Sequence, residues 1–395
     1  MTAYHRRAMT APLASPAAGP SVSRALPPRV VTVDAFRGLA LVLMAIGHCS
    51  YLMHVNLVAE RFQRDVPFRW TGWPEFVLAL LGNPCALMLW TTAGVSIAFF
   101  ERGRRTLGVP ERTILARLLV RPFVLLAVAV FLIPPLWAVH GQPAAYTFDI
   151  LSCLAIGMIA MTFLRLLPPR VLLAGTLVLL VTSPGLQALF PLDVSRPGEF
   201  WRAVWLHFTL QTTPAIWYPI LPWLPLMAAG YLTGRWLAPG TFDRPGPWWR
   251  VSIAAFAVFA AVRFAGPWFT LVDEMPDVGR IGVLMLCREP PSLAWLAWNL
   301  GLASLMYAGL ATAFSRGRRA WLAPMLEIGR EPLVFFMTHF LIFQVLVRQS
   351  KRFPGGDPVA RMLVLSAIGV VILTFTCRAV GRLRERHPRS LLRFI

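Results

Sequence analysis

Val33-Asp34-Ala35-Phe36-Arg37-Gly38-Leu39-Ala40-Leu41-Val42-Leu43-Met44-Ala45-Ile46-Gly47-His48 decides how the rest of the chain is read. It is an apolar helix with an acid and an arginine at one end and a histidine near the other. An ionised group at the bilayer midplane costs roughly 2.5–3.5 kcal/mol, so such residues persist in a spanning helix only where they face protein or water. The stretch therefore predicts a membrane helix with protein on several sides, and further helices gathered around it.

Composition agrees. Of the 395 residues, 57% are hydrophobic and only 14% charged, where a soluble domain carries roughly 25% charged residues. Apolar runs near 20 residues recur, so the fold class expected is an all-α, polytopic membrane helical bundle. The formal charge of +20 does not point to nucleic acid. The arginines flank the apolar runs and form no single basic face. Lys351 is the only lysine among abundant Ala, Arg and Pro, a composition that suggests a GC-rich bacterial gene. The five cysteines are scattered without metal or redox spacing and read as packing residues.

Ten spans are expected, near residues 35–53, 76–100, 116–138, 148–166, 171–190, 217–237, 250–270, 293–315, 332–348 and 360–382. With an inside N-terminus, the inner segments hold 26 of the 38 Arg and Lys residues, so both termini are expected in the cytoplasm. Residues 1–30, rich in Ala, Pro, Ser and Arg, read as a disordered basic tail, 31–385 as one membrane domain, and 386–395 as a second basic tail. Between spans, Phe200, Trp201, Val204, Trp205 and Phe208 make a helical stripe suited to an interface. Residues 271–292 read as a solvated loop and lid.

The polar residues within apolar runs carry the functional reading. Asp34 and Arg37 sit one turn apart, either as a cap and a snorkelling anchor or as a grip on an anionic cofactor. Arg121 and Arg330, with Arg117, stand at the same end and would give the inner mouth a positive potential. His48 lies fourteen residues past Asp34, about 21 Å along a helix, and His54 follows. Each is either a helix–helix hydrogen-bond partner or a general base. His339 stands in the middle of the ninth span, within Phe335-Phe336-Met337-Thr338-His339-Phe340. Asn83, followed by Pro84, falls level with His48. No Walker loop, zinc spacing or nucleophile elbow is present in the sequence, and no metal is expected.

The run from Val33 to Met44 closely resembles the opening helix of the heparan-α-glucosaminide N-acetyltransferase catalytic-domain family, which includes a lysosomal enzyme and many bacterial inner-membrane relatives. Three further stretches are similar, in order. They are Asn83-Pro84-Cys85-Ala86 with Ala93-Gly94-Val95-Ser96, then Tyr218-Pro219-Ile220-Leu221-Pro222-Trp223 with Gly230-Tyr231, and Ile328-Gly329-Arg330-Glu331-Pro332-Leu333 running into His339.

The resemblance implies acyl transfer from cytoplasmic acetyl-CoA to an amine or hydroxyl of a periplasmic or lipid-linked saccharide, in a bacterial inner membrane. A second copy of the chain is admitted as a partner. His48, His339, Asn83 and His54 would be catalytic, and Asp34, Arg37, Arg121 and Arg330 would serve the cofactor. His339 matches the family's ninth-helix histidine. The chain departs from the pattern at Gly47, where bacterial members commonly carry Asp, and at Asn83, where Asp or His is usual. Aligned without gaps, Ala59 falls where the lysosomal relative has its proposed catalytic histidine, and His54 reaches that place only with a gap. A transporter of a small or lipid-linked solute and a non-catalytic scaffold are the alternatives from other classes.

Overall fold

The computed structural model describes residues 29–55, 60–61, 72–139, 146–196, 198–264, 284, 286–289, 291–352 and 355–387. Nearly all of the two expected tails, the first part of the 271–292 loop, and Ala59 lie outside these residues.

The helices are α1 (Val31–Leu52), α2 (Trp73–Gly82), α3 (Cys85–Thr106), α4 (Glu111–Ala127), α5 (Ile133–Val139), α6 (Ile150–Leu164) and α7 (Pro169–Leu189). They continue with α8 (Glu199–Leu206), α9 (Ile220–Trp236), α10 (Pro239–Phe242), α11 (Pro245–Phe264), α12 (Leu293–Ser315), α13 (Ala323–Arg330), α14 (Pro332–Ser350) and α15 (Pro358–Arg386). Among the described residues, six stretches are long and apolar enough to cross a membrane: α1, the α2–α3 tandem, Glu111–Leu136, α12, α14 and α15. The other four expected spans fall on α6, α7, α9 and α11.

Prolines shape the long runs. Pro84 has no N–H to continue the ladder, so the expected second span divides into α2 and α3, with Asn83 closing the first by donating to Ala79 at 3.0 Å. The third span passes through a π-helical turn, Val128–Leu132, just before Pro134 and Pro135.

α1 is the hub, packing against α2, α3, α12, α13, α14 and α15. Two crossings in the bundle are set by paired glycines. A Cβ on Gly38 would stand 1.8 Å from the Met325 carbonyl oxygen, and one on Gly329 would stand 1.8 Å from that of Asp34, so α1 and α13 touch backbone to backbone. Gly94 and Gly230 do the same for α3 and α9, at 2.0 Å from the Met227 oxygen and 2.1 Å from the Thr91 oxygen.

Polarity is arranged inside out. Phe123, Phe131, Val178, Ile253, Val364 and Phe375 are exposed, while Asp34, Glu101, Arg165, Asn299, His339 and Gln344 are buried. An apolar exterior of this extent suits lipid and not water. The expected stripe from Phe200 to Phe208 falls on α8 up to Leu206, with Trp201 and Trp205 exposed and Val204 buried, while Phe208 lies beyond the helix end and is buried as well.

Glu60–Arg61 (β1) pairs in parallel with Leu286–Cys287 (β2), joining the segment after α1 to the segment before α12. The end of the expected solvated lid is thereby drawn inward. Leu286, Cys287, Glu289 and Ser292 are all buried.

Candidate active site

Two regions at opposite ends of α1 gather the polar residues. At its C-terminal end, His48 Nδ1 and His339 Nε2 are 2.7 Å apart. His339 is fully buried, and its Nδ1 lies 2.6 Å from the Phe336 carbonyl oxygen and 3.1 Å from that of Phe335. A carbonyl only accepts, so Nδ1 of His339 must carry its proton. In neutral His339 the Nε2 atom then holds a lone pair and accepts from His48 Nδ1–H. That leaves Nε2 of neutral His48 as the unprotonated nitrogen.

Packing fixes both rings. His48 stacks on His339 with centroids 5.0 Å apart and on Phe340 at 4.7 Å, and Phe335 stacks on His339 at 5.8 Å. His48 is half-buried beside an exposed Gly47. The residue before His48 is a glycine with no side chain, and the His48 ring is oriented by His339.

Asn83 lies at the α2–α3 break. It makes no hydrogen bond to either histidine, and its Nδ2 is buried without a hydrogen-bond partner among the described residues. A side-chain amide held this way is a donor still to be satisfied. His54 follows the end of α1 in a left-handed conformation, φ 57°. It is exposed and is not joined to the pair.

Arg288 is a residue that sequence reasoning assigned to a solvated loop. Its guanidinium carbon stands 5.0 Å from the Tyr218 ring centroid and 5.8 Å from that of Trp223. It also donates to the Tyr218 hydroxyl and lies within electrostatic reach of His48. The Tyr218–Trp223 motif was legible, but its partner 70 residues further on was not.

At the other end of α1, Arg37 donates to Asp34 Oδ1 at 3.3 Å, to the Gly329 carbonyl oxygen at 3.0 Å and to Ser96 Oγ at 2.6 Å. Asp34, buried, also pairs with Arg29 at 2.5 Å. Arg37 is thus a clasp between α1, α3 and α13. Arg121 differs. It is exposed and makes no ion pair or hydrogen bond among the described residues, yet it feels the charges of Arg37, Arg384, Arg29 and Glu331. Burial drives the Glu331 carboxyl above the ordinary range. Both of its oxygens are nevertheless taken by Arg384, at 2.8 Å for the longer contact. Arg330 is exposed and joins no ion pair among the described residues.

Four arginines, Arg29, Arg37, Arg121 and Arg384, therefore share one neighbourhood with two acids. Arg29 and Arg384 were given no role in the sequence reading, and Glu331 entered it only as part of the Ile328–Leu333 stretch. An acid directly before the Pro that opens α14 was the available signal for Glu331.

The His48–His339 arrangement can remove a proton from a group brought to His48 Nε2. The arginine cluster can hold an anion. Comparison with curated proteins returns no match. Residues 29–267, more than half of the chain, match the family model described as heparan-alpha-glucosaminide N-acetyltransferase, catalytic. The chain is a multi-helix membrane protein that belongs to this acetyltransferase family.

Proposed function

We propose that the protein transfers an acyl group, acetyl first among them, from acyl-CoA held at the arginine end of α1 to a hydroxyl or amine of a saccharide presented at the histidine end. The observation that carries the reading is the direction of the hydrogen bonds. The Phe336 carbonyl oxygen orients His339, His339 orients His48, and His48 Nε2 is left as the base. Arg121, with Arg37 and Arg384 nearby, would take the phosphates of the cofactor. Eleven residues separate Arg37 from His48, about 16 Å of helix, a span suited to the pantetheine arm.

In the reaction the acceptor gives its proton to His48 Nε2 as it attacks the thioester carbonyl, and the leaving thiolate takes that proton back. The Asn83 Nδ2 group, without a hydrogen-bond partner among the described residues, would orient the acceptor. The bias of arginines toward one side of the spans supports a cytoplasmic arginine end and a periplasmic histidine end, in a bacterial inner membrane.

The test is acetyl-CoA binding and hydrolysis by the purified protein. Wild type should bind and slowly hydrolyse the thioester, and His48→Ala should bind without turnover. Absence of binding by wild type at millimolar acetyl-CoA and succinyl-CoA would remove the proposal.

A further inference from the structure

With 26 of the 38 Arg and Lys residues on one side of the spans, the histidine end of the bundle should be poor in cations. Residues 348–361 break that pattern. Arg348, Lys351, Arg352 and Arg361 are four of the twelve remaining cations, and Asp357 is the one acid of the stretch. The stretch joins α14, which carries His339, to α15.

Helix dipoles account for only part of this charge. Arg348 stands in the last turn of α14, where a cation is favoured, but Arg361 is the fourth residue of α15, at the end where it is not. Arg361 is held there by Nη2, which donates to the carbonyl oxygens of Gly355 and Gly356. Its Nε and Nη1 have no partner among the described residues. Lys351 and Arg352 are exposed, and their side chains make no hydrogen bond or ion pair among the described residues.

Between the two helices lies a groove of about 490 Å³. Arg361, Gln349 and Ser350 give it polar lining, and Leu346, Val364 and Leu365 give it apolar lining. Asp357 also lines it, but is taken up in capping α15, accepting from the Ala360 N–H at 2.6 Å. Val364 is 58% exposed, so the apolar lining continues onto the lipid-facing exterior.

The groove adjoins the histidine pair on both of its helices. On α14, Leu346 stands seven residues past His339, about 10 Å of helix. On α15, Met362 follows Arg361, and its carbonyl oxygen lies 3.8 Å from the thiol sulfur of Cys49, the residue after His48.

A small soluble anion has no use for the apolar lining, and a neutral lipid has none for the cations. An anionic phospholipid suits both but carries nothing to the histidines. A saccharide joined to its lipid through phosphate suits both and brings hydroxyls with it. We propose that the groove binds the phosphate or diphosphate of a lipid-linked saccharide and selects that class of acceptor, an assignment resting on the acyltransferase reading above. Lys351, Arg352 and Arg361 meet the phosphate oxygens. The lipid chain leaves along Val364, and the sugar extends toward His48.

The experiment measures binding to the full-length purified protein in a neutral detergent. The probes are polyprenyl diphosphate carrying N-acetylglucosamine, the same sugar on the uncharged polyprenyl alcohol, and phosphatidylglycerol. We expect wild type to bind the diphosphate probe about tenfold or more tighter than the uncharged one, with the advantage shrinking as salt rises. The Lys351→Gln, Arg352→Gln pair should lose most of that advantage while unfolding at the wild-type temperature. A pair that keeps the advantage overturns the proposal. Equal binding of the two sugar probes by wild type does the same, whether or not the pair folds. Phosphatidylglycerol bound as tightly as the diphosphate probe also overturns it, by making the groove a general headgroup site. Saturating diphosphate probe should change acetyl-CoA consumption, raising it as an acceptor or lowering hydrolysis by displacing water. Consumption unchanged at saturation overturns the link to the acceptor. If wild type hydrolyses acetyl-CoA without telling the probes apart, the acyltransferase reading stands and only the groove falls. If it binds the probe but never consumes acetyl-CoA, both fall together.

Discussion

The α-carbon of Gly329 rests against the carbonyl oxygen of Asp34, so close that a Cβ there would stand 1.8 Å from it. One residue of α13 thus fixes the end of α1 that carries Arg37, and Arg37 closes the same contact by donating to the Gly329 carbonyl oxygen at 3.0 Å. Gly329→Ala must push the two helices apart. Overpacking of this kind costs about 1–3 kcal/mol, and Gly38→Ala attacks the same crossing. The double variant should lose less than the sum of the singles, because the first already opens the gap that the second needs. Thermal unfolding of the four proteins in one detergent measures the coupling.

The histidine pair should behave as a unit. His48→Ala is expected to lower turnover by about 10²–10⁴ while leaving acetyl-CoA binding in place. His339→Ala removes the group that holds His48 Nδ1 and should cost a large part of the same factor. The double variant should fall little below His48→Ala alone, as groups acting in one step are strongly non-additive. Single-turnover rates on all four proteins decide it. Near-multiplicative losses would mean that the two histidines work separately.

Arg121 is expected to act through binding. Arg121→Ala should raise KM for acetyl-CoA about tenfold or more, since a hydrogen bond to a charged group is worth about 1.5–3 kcal/mol, with kcat little changed. Arg330→Ala, at an exposed arginine with no ion pair among the described residues, should have the smaller effect. Comparing KM for acetyl-CoA across salt concentrations tests the cause. The slope should flatten in Arg121→Ala.

Glu331 and Arg384 offer a stability test with a sign. Glu331 is 3% exposed, and removing one partner of a buried ion pair costs about 3–5 kcal/mol. Arg384→Ala should therefore destabilise strongly, and the Glu331→Gln, Arg384→Gln pair should do so less. Burial already raises the Glu331 carboxyl, and loss of Arg384 raises it further. A folded-state value above the unfolded one favours the protonated folded form. The stability it brings is present below the unfolded value and is lost as pH rises through the folded value. Arg384→Ala should accordingly lose more stability relative to wild type at about pH 8 than at about pH 5.

Much of this architecture was legible because it depends on local signals. Apolar length and the arginine bias announced the helices, and the first helix declared itself central by carrying Asp34, Arg37 and His48 together. The same signals could not separate the roles of two neighbouring arginines. Arg37 is consumed by Asp34, Ser96 and Gly329, while Arg121 is not, and that difference depends on partners 59 and 292 residues away. Arg288 was missed for a related reason. Beside Pro290, Pro291 and Glu289 it looks like solvated loop, and only the distant Tyr218 and Trp223 rings draw it inward. His339 was singled out for its apolar surroundings, but its bond to His48 is a tertiary fact that no period or spacing encodes.

The hydrogen-bond chain through the histidines ends on the backbone oxygens of Phe335 and Phe336, which cannot take up a proton. A chain with a terminal carboxylate could lend its charge to an imidazolium, but this one offers only dipoles. Protonated His48 thus finds no carboxylate in this chain of bonds to share its charge, and on the proposed reaction its proton leaves with the CoA thiol. On the proposed reaction each turnover would be electrically silent for the membrane. It would proceed at the same rate in a de-energised vesicle as in one holding a full proton gradient.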